Sequence, residues 1–201
     1  MINDDRRAPR VTLSALTFKT VVAHTLTYVF AGILAYNLGD YETTFSQPPL
    51  SYFMRPTSDP WIMAGPLLQP VRGVIFALAF YPLRDVLFGR RHGWLILWWL
   101  LVSLGILSTF GPAPGSVEGL IYTIVPPFSQ LWGLWEVLLQ SLLLSAVLVS
   151  WVRHPGKRWL NWTLAAVFTI LMLLIAAGLA ARSLETSSGR LTPGVGVTAG
   201  D

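Results

Sequence analysis

Three ionisable side chains interrupt otherwise apolar runs of this chain: His24, Arg72 and Glu136. A charge inside a membrane-spanning segment costs several kcal/mol unless it is paired or wetted, so each of the three marks a candidate site. Gln69 stands three residues before Arg72 and Gln140 four after Glu136, so each amide shares a helix face with its charge. At the helical rise, Arg72 lies about 9 Å below one end of its run, and Glu136 lies about 8 Å below the same surface. Matched depth and opposite sign predict an Arg72–Glu136 ion pair between the second and fourth runs. Gly73 and Gly133 would let the backbones approach there. Pro66 and Pro70 would loosen the start of the second run and free carbonyls. The result is an outward-facing polar pocket of Arg72, Glu136, Gln69 and Gln140, with Arg55 and Glu118 from the connecting segments closing over it. Such a pair either fixes the register of a bundle or holds a ligand or ion. If it is buried, removing one partner costs about 3 kcal/mol. It suits catalysis poorly: arginine stays protonated and is no base, and no nucleophile stands beside an activating group.

His24 lies about 7 Å above Lys19, which marks the opposite end of the first run. That depth places it in the other leaflet from Arg72 and Glu136. Flanked by Thr20, Thr27 and Tyr28, it reads first as a hydrogen-bonded histidine between helices. The alternative is a metal or tetrapyrrole ligand, holding haem or a chlorin with His92 or His154 opposite. Those two sit in Arg-Arg-His-Gly and Arg-His-Pro-Gly and read as interfacial loop residues. No cofactor is expected beyond that alternative. The absence of cysteine excludes disulfides, zinc–thiolate sites and a cysteine nucleophile.

The elements that must position these groups are long and apolar. Of 201 residues, 53% are hydrophobic and 12% charged, where a soluble domain carries about 25% charged residues. Mean hydropathy is +0.57. Hydrocarbon about 30 Å thick needs roughly 20 apolar residues of helix. Five stretches approach that length: 20–38, 66–88, 93–110, 131–152 and 159–181. The expected fold is therefore an all-α, polytopic transmembrane bundle of about five spans over residues 20–181. A basic N-terminal segment, 1–19, precedes it, and a Ser, Thr and Gly-rich tail, 182–201, reads as disordered. The first run is too long, and followed by too many others, to be a cleaved signal peptide.

Ten Lys and Arg fall on one side of these spans and three on the other. The positive-inside rule then puts the N-terminus in the cytoplasm and the C-terminus outside, in a bacterial inner membrane. The net charge of +4 needs only topology and anionic lipid to explain it, and no nucleic-acid partner is expected. Short inner connections predict that spans two and three, and spans four and five, form antiparallel hairpins. The outer segments, 39–65 and 111–130, are proline-rich and too apolar for solvated loops, so they should lie along the interface or dip back into the protein. The lack of an internal repeat argues against an inverted-repeat transporter.

Met54-Arg55-Pro56-Thr57, Trp61-Ile62-Met63-Ala64-Gly65-Pro66-Leu67 and Ala113-Pro114-Gly115-Ser116-Val117-Glu118-Gly119 together resemble the pattern of an uncharacterised group of bacterial integral membrane proteins. The resemblance covers the middle of the chain and implies that these outer motifs belong together. It carries no activity. Three function classes follow. The first is a non-enzymatic membrane protein, either an accessory subunit of a membrane complex or a small-ligand binding protein using the outer pocket. The second is a small oligomeric transporter or channel, and the third an intramembrane enzyme or tetrapyrrole-binding redox protein. The expected partners are membrane lipid and either other membrane subunits or further copies of the chain.

Overall fold

The apolar runs form helices whose ends are set by capping chemistry more than by hydropathy. The computed structural model describes residues 11–189, with side chains to Leu184. Every regular element among them is helical. The first helix, α1 (Leu13–Leu38), begins where Thr12 accepts from the Ala15 N–H at 3.3 Å, well before the expected Thr20. After a left-handed Asp40 comes a short α2 (Tyr41–Ser46). The next long helix, α3 (Pro60–Phe80), starts at an Asp59 cap that accepts from Trp61 N at 2.8 Å, with Pro60 in the first helical position. It runs through Pro66 and Pro70 and stops two residues before Pro82, whose ring nitrogen has no N–H to donate. The expected single span 66–88 is therefore two elements, α3 and a short α4 (Arg84–Gly89).

The third run gives α5 (Gly93–Val102), which passes into a π-helical turn over Ser103–Leu107. After a short α6 (Val117–Tyr122) come α7 (Pro127–Arg153) and α8 (Arg158–Gly189), the last elements among the described residues. The last helix continues past Ala181, where a disordered tail was expected. Residues 1–10 and 190–201, which include Arg6, Arg7, Arg10 and Arg190, lie outside the described residues. Among the described residues four helices are long and apolar enough to cross a membrane: Leu13–Leu38, Pro60–Phe80, Pro127–Arg153 and Arg158–Leu184. The Gly93–Leu107 helix is shorter.

The lateral order departs from the expected hairpins. The central helix α1 packs on α3 and α7; α5 packs on α7, and α8 on α3 and α1. The turn and α4 carry the chain sideways from α3 before α5 begins. At the other short connection Trp151 Nε1 donates to Asn161 Oδ1, but α8 then leans on α3 rather than α7. The resulting order is α8–α3–α1–α7–α5, with α1 and α7 between α3 and α5.

The core fills one end of this row. Leu16, Leu87, Phe88, Leu97, Leu148 and Trp151 are buried against one another. Trp151 is fully buried and receives the Phe18 ring edge-on. The same end gathers basic groups: Lys19 Nζ donates to Trp151 O at 3.0 Å. Arg153 donates to Phe88 O and Arg91 O, each at 3.0 Å, tying α7 to the α4–α5 connection.

Candidate functional site

The polar side chains of α1, α3 and α7 converge where α1 and α3 come closest. A Cβ added to Gly73 would stand 2.7 Å from Val21 Cα, so only glycine permits this approach. Gly133 meets nothing within 4 Å and plays no such part, contrary to expectation.

Beside this contact His24 is fully buried. Its Nε2 lies 3.1 Å from Gln69 Oε1 and its Nδ1 3.5 Å from Gln140 Nε2. The pattern matches a neutral ring that donates through Nε2 and accepts at Nδ1. The second amide end of Gln69 donates to Gly65 O at 3.2 Å. The Phe76 ring meets the imidazole edge-on, with centroids 5.0 Å apart. His24 is therefore a bridge between the two amides predicted to flank Arg72 and Glu136, and not a group in the other leaflet. The error came from the helix boundaries. Counted from Leu13, His24 is about 16 Å into α1, and counted from Pro60, Gln69 is about 14 Å into α3; the two helices run in opposite directions and these levels meet. Both imidazole nitrogens are engaged by amides, so holding a metal or tetrapyrrole would require breaking one of these bonds. His154 Nδ1 approaches Ser150 O at 2.7 Å at the far end of α7, and His92 is exposed before α5. Among the described residues no group of three His, Cys, Asp or Glu is placed to hold a metal ion.

Arg72 and Glu136 line the same cavity, of about 430 Å³, together with Tyr28, Phe76, Gln140 and Ser141. The predicted ion pair between them is not formed: the ion pairs among the described residues are Arg55–Asp59 and Arg84–Asp85. Two neighbours explain this. The Tyr41 hydroxyl of α2 donates to Glu136 Oε2, engaging the carboxylate near the start of α7. The Arg72 guanidinium lies over the Phe76 ring, 5.4 Å from its centroid. Arg72 is exposed at the rim, while Glu136 and Gln140 are half-buried on the α7 wall. Burial, reinforced by the hydrogen bond to Glu136, pushes the Tyr41 phenol above the ordinary tyrosine range. It therefore serves as a neutral donor.

The expected closing residues lie elsewhere. Arg55 pairs with Asp59 at 3.0 Å at the start of α3; the Trp61 N–H cap bond first, and the Arg55 bond second, hold the Asp59 carboxyl below its usual range. Glu118 sits in the first turn of α6. Neither lines the cavity; Ala113 and Pro114 do. That segment is fastened by Gln130, which is 3% exposed. Gln130 Oε1 accepts from Gly115 N at 3.0 Å, and its Nε2 donates to Val125 O at 2.6 Å. Gly115 has φ +88°, a conformation that favours glycine. Ser116 caps α6 by accepting from Gly119 N at 2.9 Å. Segment 111–126 thus folds back onto α7. Met54 and Pro114, from two different outer motifs, line a second cavity of about 480 Å³ walled by aromatic residues including Tyr41, Phe53, Trp132 and Trp135.

The reading of single positions missed Tyr41 and Gln130. Tyr41 follows directly on Gly39-Asp40, a helix-stop signal, and could have been found as the first aromatic ring beyond it. Gln130 carries no local signal, because its partners come from the preceding segment. Comparison with protein-family models, curated proteins and solved structures returns no match, so the reading of the site rests on its geometry.

Proposed function

We propose that this chain is a multi-pass protein of a bacterial inner membrane and a non-enzymatic small-ligand binding protein. In this reading it crosses five times, with its N-terminus in the cytoplasm and its C-terminus outside. Four helices have the required length and apolarity. The direction of α7 supports the fifth crossing. Glu136, near its start, meets Tyr41 just beyond the end of α1, and Trp151, near its finish, meets Lys19 near the start of α1. The Gly93–Leu107 helix and the chain after it must carry the backbone between those ends. Lys19, Arg91 and Arg153 at one end support its assignment as the cytoplasmic side.

The observation that carries the ligand reading is the state of Arg72. Its guanidinium is exposed at the rim of the cavity, and no carboxylate lies within ion-pair distance of it among the described residues. A purely structural arginine–glutamate pair would neutralise itself. Here Glu136 is turned to Tyr41, and the cation faces open volume, where an occupant would satisfy it. Purification in mild detergent, followed by mass spectrometry of bound small molecules and proteins, tests this. The expected result is a bound small molecule whose retention falls at least about tenfold in Arg72→Gln and is unchanged in Arg55→Gln. Recovery of a stoichiometric protein partner with no bound small molecule would replace this reading with that of an accessory subunit.

A further inference from the structure

We propose, resting on the ligand-binding reading above, that the Arg72–Glu136 cavity takes the ring of a lipid-soluble quinone. The position of the opening comes first. Four of the lining residues are exposed: Arg72 on α3, Gly105 on the π-helical turn after α5, and Ala113 and Pro114 in the segment that follows. The mouth therefore lies between α3 and the stretch from Gly105 to Pro114. Arg72 is about 18 Å along α3 from Pro60, near the middle of a hydrocarbon layer about 30 Å thick. On the side of Arg72 and Gly105 a molecule would arrive through lipid, which excludes ions and the phosphate of a lipid headgroup and admits a neutral ring on an apolar tail.

The walls fit that class. Tyr28 and Phe76 present aromatic faces, and Leu101, Ile106 and Leu144 aliphatic ones. The volume of about 430 Å³ falls within the range of small-molecule sites, roughly 300–1,000 Å³. The polar groups are few and separated. Arg72 offers N–H donors at the mouth. Gln140 offers an amide on the α7 wall, where its bond to His24 is long, at 3.5 Å. Glu136 is an acceptor with one oxygen already bonded to Tyr41. A quinone carries acceptor oxygens on opposite sides of one ring, matching Arg72 on one side and Gln140 on the other; the hydroxyl of the reduced form would donate to Glu136. Gly105 keeps the mouth clear, since a Cβ added there meets nothing within 4 Å. The tail would leave along the exposed Val71 and Ile75 of α3.

The test is equilibrium binding of a decyl-chain benzoquinone and a prenylated naphthoquinone to the purified protein in lipid nanodiscs, read by quinone absorbance after separation. Saturable binding near one per chain is expected. Arg72→Gln and Gly105→Leu should each weaken it at least about tenfold, with Gly32→Leu, which also fills open space, as the unaffected control. Gly105→Ala, which should fold as wild type, serves as a graded second variant with an intermediate loss. Failure of folded wild-type protein to bind either quinone overturns the proposal, as does binding that ignores Arg72 and Gly105. If a different co-purified molecule is retained through Arg72, the quinone assignment fails while the ligand-binding reading stands. If no small molecule depends on Arg72, both fail.

Discussion

Replacing Gln130 by alanine should release the outer segment 111–126 from α7. The side chain is 3% exposed and makes its bonds inside the protein. Truncation leaves the Gly115 N–H, bonded at 3.0 Å to Gln130 Oε1, without its acceptor. It also strips Val125 O of its donor at 2.6 Å. Gly119 O loses a third contact but keeps Thr123 N at 3.2 Å and Thr123 Oγ1 at 2.7 Å, so it adds little. An orphaned buried donor or acceptor costs about 1–3 kcal/mol. The two together, partly relieved by water entering the space, come to about 3 kcal/mol. At about 2–4 °C per kcal/mol for a chain of this size, Tm in detergent should fall by about 6–12 °C. Limited proteolysis should show faster cleavage within 111–126 at temperatures below the global transition. Gln130→Glu separates hydrogen bonding from volume. A carboxylate still accepts from Gly115 but confronts the Val125 and Gly119 carbonyls, so it should be no better than alanine. A Gln130→Ala protein that melts with wild type and is cleaved no faster would refute the assignment of this side chain as the fastener.

Four further outcomes are expected. Because Arg72 and Glu136 do not pair, a double-mutant cycle with Arg72→Ala and Glu136→Ala should give a coupling below about 0.5 kcal/mol, and a coupling near 3 kcal/mol would restore the ion pair. Burial and the bond to Glu136 hold the Tyr41 phenol pKa above the ordinary tyrosine value of about 10, so the folded state holds its proton more tightly than the unfolded one. Its stabilising contribution is complete below pH ~10 and is lost as pH rises beyond it, and Tyr41→Phe should remove that part of the alkaline loss, with identical alkaline melting curves counting against the Tyr41–Glu136 bond. Gly73→Val should separate α1 from α3 and destabilise by about 1–3 kcal/mol or more, while Gly133→Ala, in open space, should leave Tm unchanged. A reporter enzyme active only outside the cytoplasm should be active when fused after Asp40 or Leu184 and silent after His92 or Pro155; silence after Leu184 would remove one crossing from the proposed topology.

The parts of this protein legible in the sequence are those governed by local chemistry. Apolar runs with few charges read as membrane-length helices because hydrocarbon tolerates little else. Gln69 and Arg72, and Glu136 and Gln140, were placeable on shared faces because helical periodicity is a property of one segment. The capping signals Thr12 and Asp59-Pro60 were also present in the sequence. Weighing them above hydropathy would have started α1 and α3 at Leu13 and Pro60 and brought His24 level with Gln69.

Other features depend on which segments meet. Depth along a helix gave Arg72 and Glu136 a common level, but only packing supplied Tyr41 to one and the Phe76 face to the other. Short connections suggested hairpins, yet α5 lies on α7 and α8 on α3, since a turn fixes where a chain reverses and not which neighbour its far end finds. Gln130 is the clearest case. Nothing at position 130 marks it, because its role consists of backbone groups at Gly115, Gly119 and Val125 that become its neighbours only when the segment folds back. Sequence determines the length, polarity and caps of each helix through interactions within a few residues. The cavity and its arginine without an ion-pair partner arise from contacts between residues far apart in the chain, and those were decided by the tertiary structure alone.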